Sequence, residues 1–178
     1  MAKKSRISGK AAVAVVGLAI LPIWAAAQAP GRGKSEVEVG GKKVSIEFGR
    51  PSTEGPGYKS MQGGVPDGYI WRMGSNQATK LVSEVNLQFG DKVVQAGSYS
   101  LWAKRAGEGW TVLVHPEADV WGMPVKKEGF IAELALKYEK IEEPVQYMTI
   151  ELKAEGEELE FRLAWGDEQG KGKLKVAP

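Results

Sequence analysis

From Glu36 onward the chain alternates apolar and polar residues with a period of two rather than 3.6, and turn residues recur roughly every 8 to 12 positions, the pattern of a sandwich or barrel. The opening hairpin is explicit. Val37 and Val39 alternate with Glu36 and Glu38, Gly40-Gly41 supplies a two-residue turn, and Val44, Ile46 and Phe48 alternate on the return. Glycine suits that turn because its favoured form has positive φ at both central positions. A short strand is predicted over Tyr69 to Met73. A longer one follows, with Leu81, Val85, Leu87 and Phe89 on one face and Lys80, Glu84, Asn86 and Gln88 on the other, up to a Gly90-Asp91 turn. Val93 to Ala103 and Trp110 to His115 then form a hairpin across Gly107-Glu108-Gly109, and further strands are predicted over Phe130 to Tyr138, Gln146 to Leu152, Leu159 to Trp165 and Lys173 to Val176. About nine strands with polar outer faces predict an all-β fold, an antiparallel β-sandwich.

Two stretches break the alternation. Residues 49–68 are rich in Gly, Pro and Ser, carry no apolar period and are read as a long loop, of the kind that is functional or mobile in compact domains. No amphipathic helix of useful length is expected. The first 27 residues have the layout of an export signal: Lys3, Lys4, Arg6 and Lys10 precede an apolar run from Ala11 to Ala25, and Ala25 and Ala27 fit a small-residue cleavage site after Ala27. The run is shorter than the roughly 20 residues of a spanning helix and contains Pro22. The reading is therefore a signal peptide, 1–27, followed by a single domain, 28–178, in a periplasmic or secreted protein with no membrane span after cleavage.

Charge changes with that cut. Four of the 24 basic residues and none of the 22 acidic ones lie in the signal, so the mature chain is close to neutral and holds no basic block for nucleic acid. The absence of cysteine removes disulfides, thiol nucleophiles and cysteine-based metal sites, and leaves the apolar core to hold an exported fold.

The chemistry-bearing residues concentrate between Trp71 and Thr79, where Arg72, Ser75, Asn76 and Thr79 put a guanidinium, an amide and two hydroxyls between two strands; Arg50 could add a second guanidinium. If convergent, Arg50, Trp71, Arg72, Asn76 and Thr79, with Trp121, suit a carboxylate, phosphate or sugar, because arginine offers a planar donor fork and asparagine both donates and accepts. The alternative is that Arg72 and Asn76 satisfy backbone groups and fix the path of the 49–68 loop. His115 is the only histidine, at a strand end with Glu117 and Asp119 nearby. One histidine is thin support for a metal site, no G-x-S-x-G elbow accompanies it, and neither metal nor cofactor is assigned. Trp110 and Trp165 fall in phase with the core. Trp102 and Trp121 do not, and each is either an exposed platform for a sugar ring or a cap on the end of the sandwich. The turn carboxylates at Glu142-Glu143 and Glu155 to Glu158 read as solvated charge, and Gly40-Gly41-Lys42 lacks the strand-to-helix setting of a phosphate loop.

The stretches FGRPSTEGPGY (Phe48 to Tyr58), YIWRMGSNQAT (Tyr69 to Thr79), AGSYSLWA (Ala96 to Ala103), WTVLVHPEADVWG (Trp110 to Gly122) and EEPVQYMTIEL (Glu142 to Leu152) together resemble the DUF2911 family of exported bacterial proteins without assigned activity. Met73 and Gln77 stand where that family's pattern has Thr and Glu. The resemblance implies export and a β fold and carries over no functional residue. Three function classes follow: a cell-envelope binding module for a small polar or anionic ligand, a structural domain or one that binds another envelope protein, and a His- or metal-dependent hydrolase.

Overall fold

The computed structural model describes residues 31–62 and 64–178, and the expected export signal lies outside them. In chain order the elements are β1 (Arg32–Val39), β2 (Lys42–Gly49), α1 (Pro56–Gln62), β3 (Ile70–Trp71), β4 (Thr79–Ser83), β5 (Asn86–Phe89), β6 (Lys92–Val94), β7 (Gly97–Ala106), β8 (Gly109–His115), β9 (Ala132–Ala135), β10 (Lys137–Glu155) and β11 (Glu158–Ala177). One sheet runs β1-β2-β4-β7-β8-β9, with β3 paired to β7; the other runs β10-β11-β5-β6; all pairings are antiparallel. Ile46, Phe48, Leu81, Leu101 and Val112 from the first sheet and Leu87, Phe89, Ile150, Phe161 and Leu174 from the second form one buried cluster, so the sheets face each other across a common core. Each such side chain contributes about 1.5–3 kcal/mol through burial. With no cysteine in the chain, this term carries the fold. No helix among the described residues is long and apolar enough to cross a membrane.

The first hairpin forms as expected, with Val39 opposite Lys42 and both turn glycines at positive φ (57° and 75°). Elsewhere the boundaries differ from the expected ones. The strand predicted from Lys80 to Phe89 is two strands in different sheets, β4 and β5, with a corner at Ser83 to Val85. There the Ser83 hydroxyl donates to the Val85 carbonyl (2.6 Å) and the Glu84 N–H donates to the Lys43 carbonyl (2.9 Å). Leu81 and Ser83 before the corner and Leu87 and Phe89 after it all face inward. Because both sheets front the same core, the chain changes sheet without breaking its alternation. Val93 to Ala103 divides in the same way into β6 and β7, and Phe130 to Tyr138 into β9 and the start of β10.

The opposite error falls at the C-terminal end, where the stretches expected as three separate strands are parts of β10 and β11, of 19 and 20 residues. The glycines that look like breaks are sites of close approach. A Cβ on Gly170 would lie 2.7 Å from the Tyr138 ring, and one on Gly172 would lie 2.9 Å from Leu134 and Leu136. The 49–68 loop contains the seven-residue helix α1, and its start is tied to β10 by a Ser52–Tyr147 bridge and by the Thr53 N–H donating to the Gln146 carbonyl (2.8 Å).

Trp102 is fully buried, which excludes the exposed platform for it. It points to the outer face of the first sheet, where Ala78 and Leu113 with Ile70, Val120, Val125 and Phe130 close a second, smaller core, and its indole N–H donates to the Ser100 hydroxyl (2.9 Å). The irregular segment after β8 covers this face. That cover also buries Leu113 and His115, which alternation alone places outside.

Candidate functional site

The polar segment 71–79 is built around its own backbone. Met73 and Asn76 both adopt left-handed conformations (φ 52° and 64°). The Thr79 hydroxyl donates to the Met73 carbonyl, and Arg72 Nε donates to the Gly74 carbonyl at 3.2 Å. The Asn76 carbonyl accepts from the Gly122 N–H (3.1 Å), and its side chain is exposed. Gly122 is required there: a Cβ would meet Arg72 Cδ at 2.0 Å and the Asn76 carbonyl oxygen at 2.6 Å. Arg50 turns to the other sheet, where it donates to the Met148 carbonyl and the Thr149 hydroxyl (both 3.3 Å), with its guanidinium 5.6 Å from the Tyr147 ring centre. The two guanidinia thus have different surroundings. Trp121 is 60% exposed and bridges to Gln77.

His115 accepts at Nδ1 from the Glu117 N–H (3.2 Å) and meets the Phe130 ring edge-on. Burial, helped by the Lys126 ammonium, holds its imidazole below the ordinary value, against a smaller opposing pull from Glu117. The nearby carboxylates pair with lysines, Glu117 with Lys126 (2.8 Å) and Asp119 with Lys80 (2.7 Å).

Of the expected residues, Trp71 lines a recess walled by aromatic rings. It lies on β3 at the mouth of the sandwich and stacks on Trp165 of β11, 5.5 Å between ring centres with planes 15° apart. On its other flank Trp110 of β8 lies at 5.7 Å and 58°. Tyr58 of α1 meets Trp165 edge-on at 5.0 Å, and Tyr138 of β10 is wedged between Gly109 and Gly170. These five rings wall a cavity of about 120 Å³ that opens between the sheets and is rimmed by Arg105, Glu108 and Glu168. A groove of about 330 Å³, with Arg72, Tyr69 and Met123 in its walls, shares Trp71 and Met61 with it.

The bulge in the closing hairpin places Trp165. Between the pairs Val145–Gly166 and Thr149–Ala164, four steps on β10 match two on β11, and Trp165 sits within that irregularity. Bulges re-aim side chains in this way. Trp165 Nε1 is buried and has no acceptor among the described residues. A buried donor without a partner costs about 1–3 kcal/mol, a cost set against the packing of Trp165 on Trp71 and Tyr58. Burial, reinforced by Glu168, pushes the Tyr138 hydroxyl well above the usual phenol range, and burial followed by Asp167 raises Tyr58. Both phenols stay protonated and can donate as well as accept.

Trp110 and Trp165 are in phase with the core and do pack on it, which hides their second role. Tyr58, Tyr138 and Glu168 carry no local signal. The one trace in the sequence is Trp165-Gly166-Asp167, an aromatic residue at the point where alternation stops.

No curated protein and no solved structure matches the chain. Residues 31–173 of the 178 match the family described as a protein of unknown function (DUF2911), and the chain belongs to that family.

Proposed function

We propose that the domain is a binding module of the cell envelope that takes a small ligand in the cavity walled by Trp71, Trp110 and Trp165. The observation that carries this is the open recess itself, walled by five aromatic rings and rimmed by Arg105, Glu108 and Glu168. Concave sites with apolar walls and a few convergent polar groups are the usual form of small-molecule sites. The export signal expected over residues 1–27 supports an envelope location. Arg72 and Asn76 support the neighbouring groove through their backbone contacts.

Three of the five mature tryptophans line the cavity, so binding should change intrinsic fluorescence. The test is a screen of small polar compounds by fluorescence and thermal shift on the protein and on its Trp165→Phe variant. Phenylalanine keeps a ring against Trp71 but is smaller than the indole and alters that wall of the cavity. A compound that shifts the native protein and loses most of its effect on the variant supports the site. Equal responses in both proteins refute it.

A further inference from the structure

On the outer face of the first sheet the segment after β8 forms a groove that shares no residue with the ring-walled recess. We propose that this groove, between His115 and Trp121, binds a small carboxylate with an apolar body, an aryl or alkyl monocarboxylate.

The imidazole of His115 supplies the donor. Its Nδ1 accepts from the Glu117 N–H (3.2 Å), and a backbone amide can only donate, so the neutral ring carries its proton on Nε2. The residue is 5% exposed. Nε2 makes no hydrogen bond among the described residues, yet it is not one of their fully enclosed polar atoms, so the surface it retains faces the groove. Gly129 keeps that approach open. A Cβ there would lie 3.0 Å from Nε2, within the range at which a hydrogen-bond acceptor sits. The space left by the missing side chain therefore fits one acceptor atom, and because Gly129 is exposed that space is reached from solvent.

Charge selects the kind of acceptor. At the imidazole the Lys126 ammonium outweighs the Glu117 carboxylate it is paired with (2.8 Å), so the local potential favours an anion. Lys127 and Glu128 at the rim carry opposite charges, and neither is among the groups that act on the ring. A cation would meet both the N–H and Lys126. A phosphate brings two charges and several oxygens to a single N–H beside Glu117, whereas a carboxylate brings one charge and needs one such donor.

The rest of the groove is apolar. Trp121 and Met123 are 60% and 55% exposed, Pro124 and Val125 continue the wall, and the Trp121 indole has no ring or cation against it among the described residues. Large side chains exposed together in this way mark a surface kept for contact. At about 610 Å³ the groove is within the usual range for small-molecule sites.

The test reads His115 directly. It is the only histidine in the chain, so in protein purified without a histidine tag the imidazole nitrogen resonances in NMR belong to it alone. Benzoate and hexanoate are titrated against these resonances, with benzamide and inorganic phosphate beside them, on the parent protein and on Gly129→Ala and Trp121→Ala. Gly129 has φ 82°, so its variant strains the backbone; Trp121→Ala, at an exposed side chain, carries the test if that variant does not fold. The expected result is an Nε2–H tautomer in the free protein and a saturable shift with at least one carboxylate. Benzamide should bind about tenfold more weakly or worse, the equivalent of losing the charge on the acceptor. Gly129→Ala should abolish the response and Trp121→Ala weaken it several-fold. An Nδ1–H tautomer, benzamide binding as tightly as benzoate, a response to phosphate alone, a carboxylate response unchanged in either folded variant, or silence from every probe overturns the proposal.

Discussion

Asn76 shows how a residue that looks chemical can serve the backbone. Its left-handed φ of 64° is costly for a side chain bearing a Cβ, by about 1–2 kcal/mol, although asparagine tolerates it better than most residues. Its carbonyl, not its amide, makes the contact with Gly122. Asn76→Gly should therefore keep the thermal midpoint, whereas Asn76→Ala should lower it by roughly 2–4 °C for each kcal/mol lost. Equal losses in both would assign the stabilising role to the amide. His115 makes a different prediction. Its folded-state pKa lies below the ordinary 6.5, so the unfolded chain binds more protons in acid and folding opposes protonation. Stability is then fully present above about pH 6.5 and falls as the pH drops through the folded value. His115→Gln should flatten the thermal midpoint against pH in that window, and an unchanged slope would move the effect to other groups.

At the scale of elements, α1 and the β11 bulge depend on each other. Gly166 has φ 68°, and a Cβ there would lie 1.8 Å from the Tyr58 hydroxyl and 2.5 Å from its ring, closer than any real contact. Gly166→Ala should expel Tyr58, loosen α1 and raise proteolysis within residues 50–68, with little change in the β-sheet circular dichroism. Resistance equal to that of the parent protein would mean the ring has another seat. Such couplings explain what the sequence could and could not tell. The first hairpin was readable because its two glycines and its alternation are local. The corner at Ser83 to Val85 was not, since inward parity survives a change of sheet when both sheets share a core. Trp102 was misplaced between surface and cap because nothing in β7 reveals that a segment after β8 returns to cover its outer face. For the site, Trp71 was identified from its polar neighbours, but its partners come from β8, β10, β11 and α1, and only packing brings them together.

For the molecule as a whole, closure of the second sheet is decided late in the chain. The β5–β6 hairpin has β11 as its neighbour, through Lys175–Gln88, Val176–Leu87 and Ala177–Asn86, and Leu159, Phe161, Leu163 and Leu174 of β11 belong to the main core. A chain stopped at residue 157 should show no cooperative thermal transition, and a sharp transition in that fragment would make the first sheet an independent unit. The long closing hairpin also sets a timetable. While a ribosome is still short of residue 158, the emerging polypeptide lacks the strand that completes its core and cannot lock into shape. It stays an open thread through most of its synthesis, so the same hairpin that seals the finished protein makes its folding wait for nearly the whole chain.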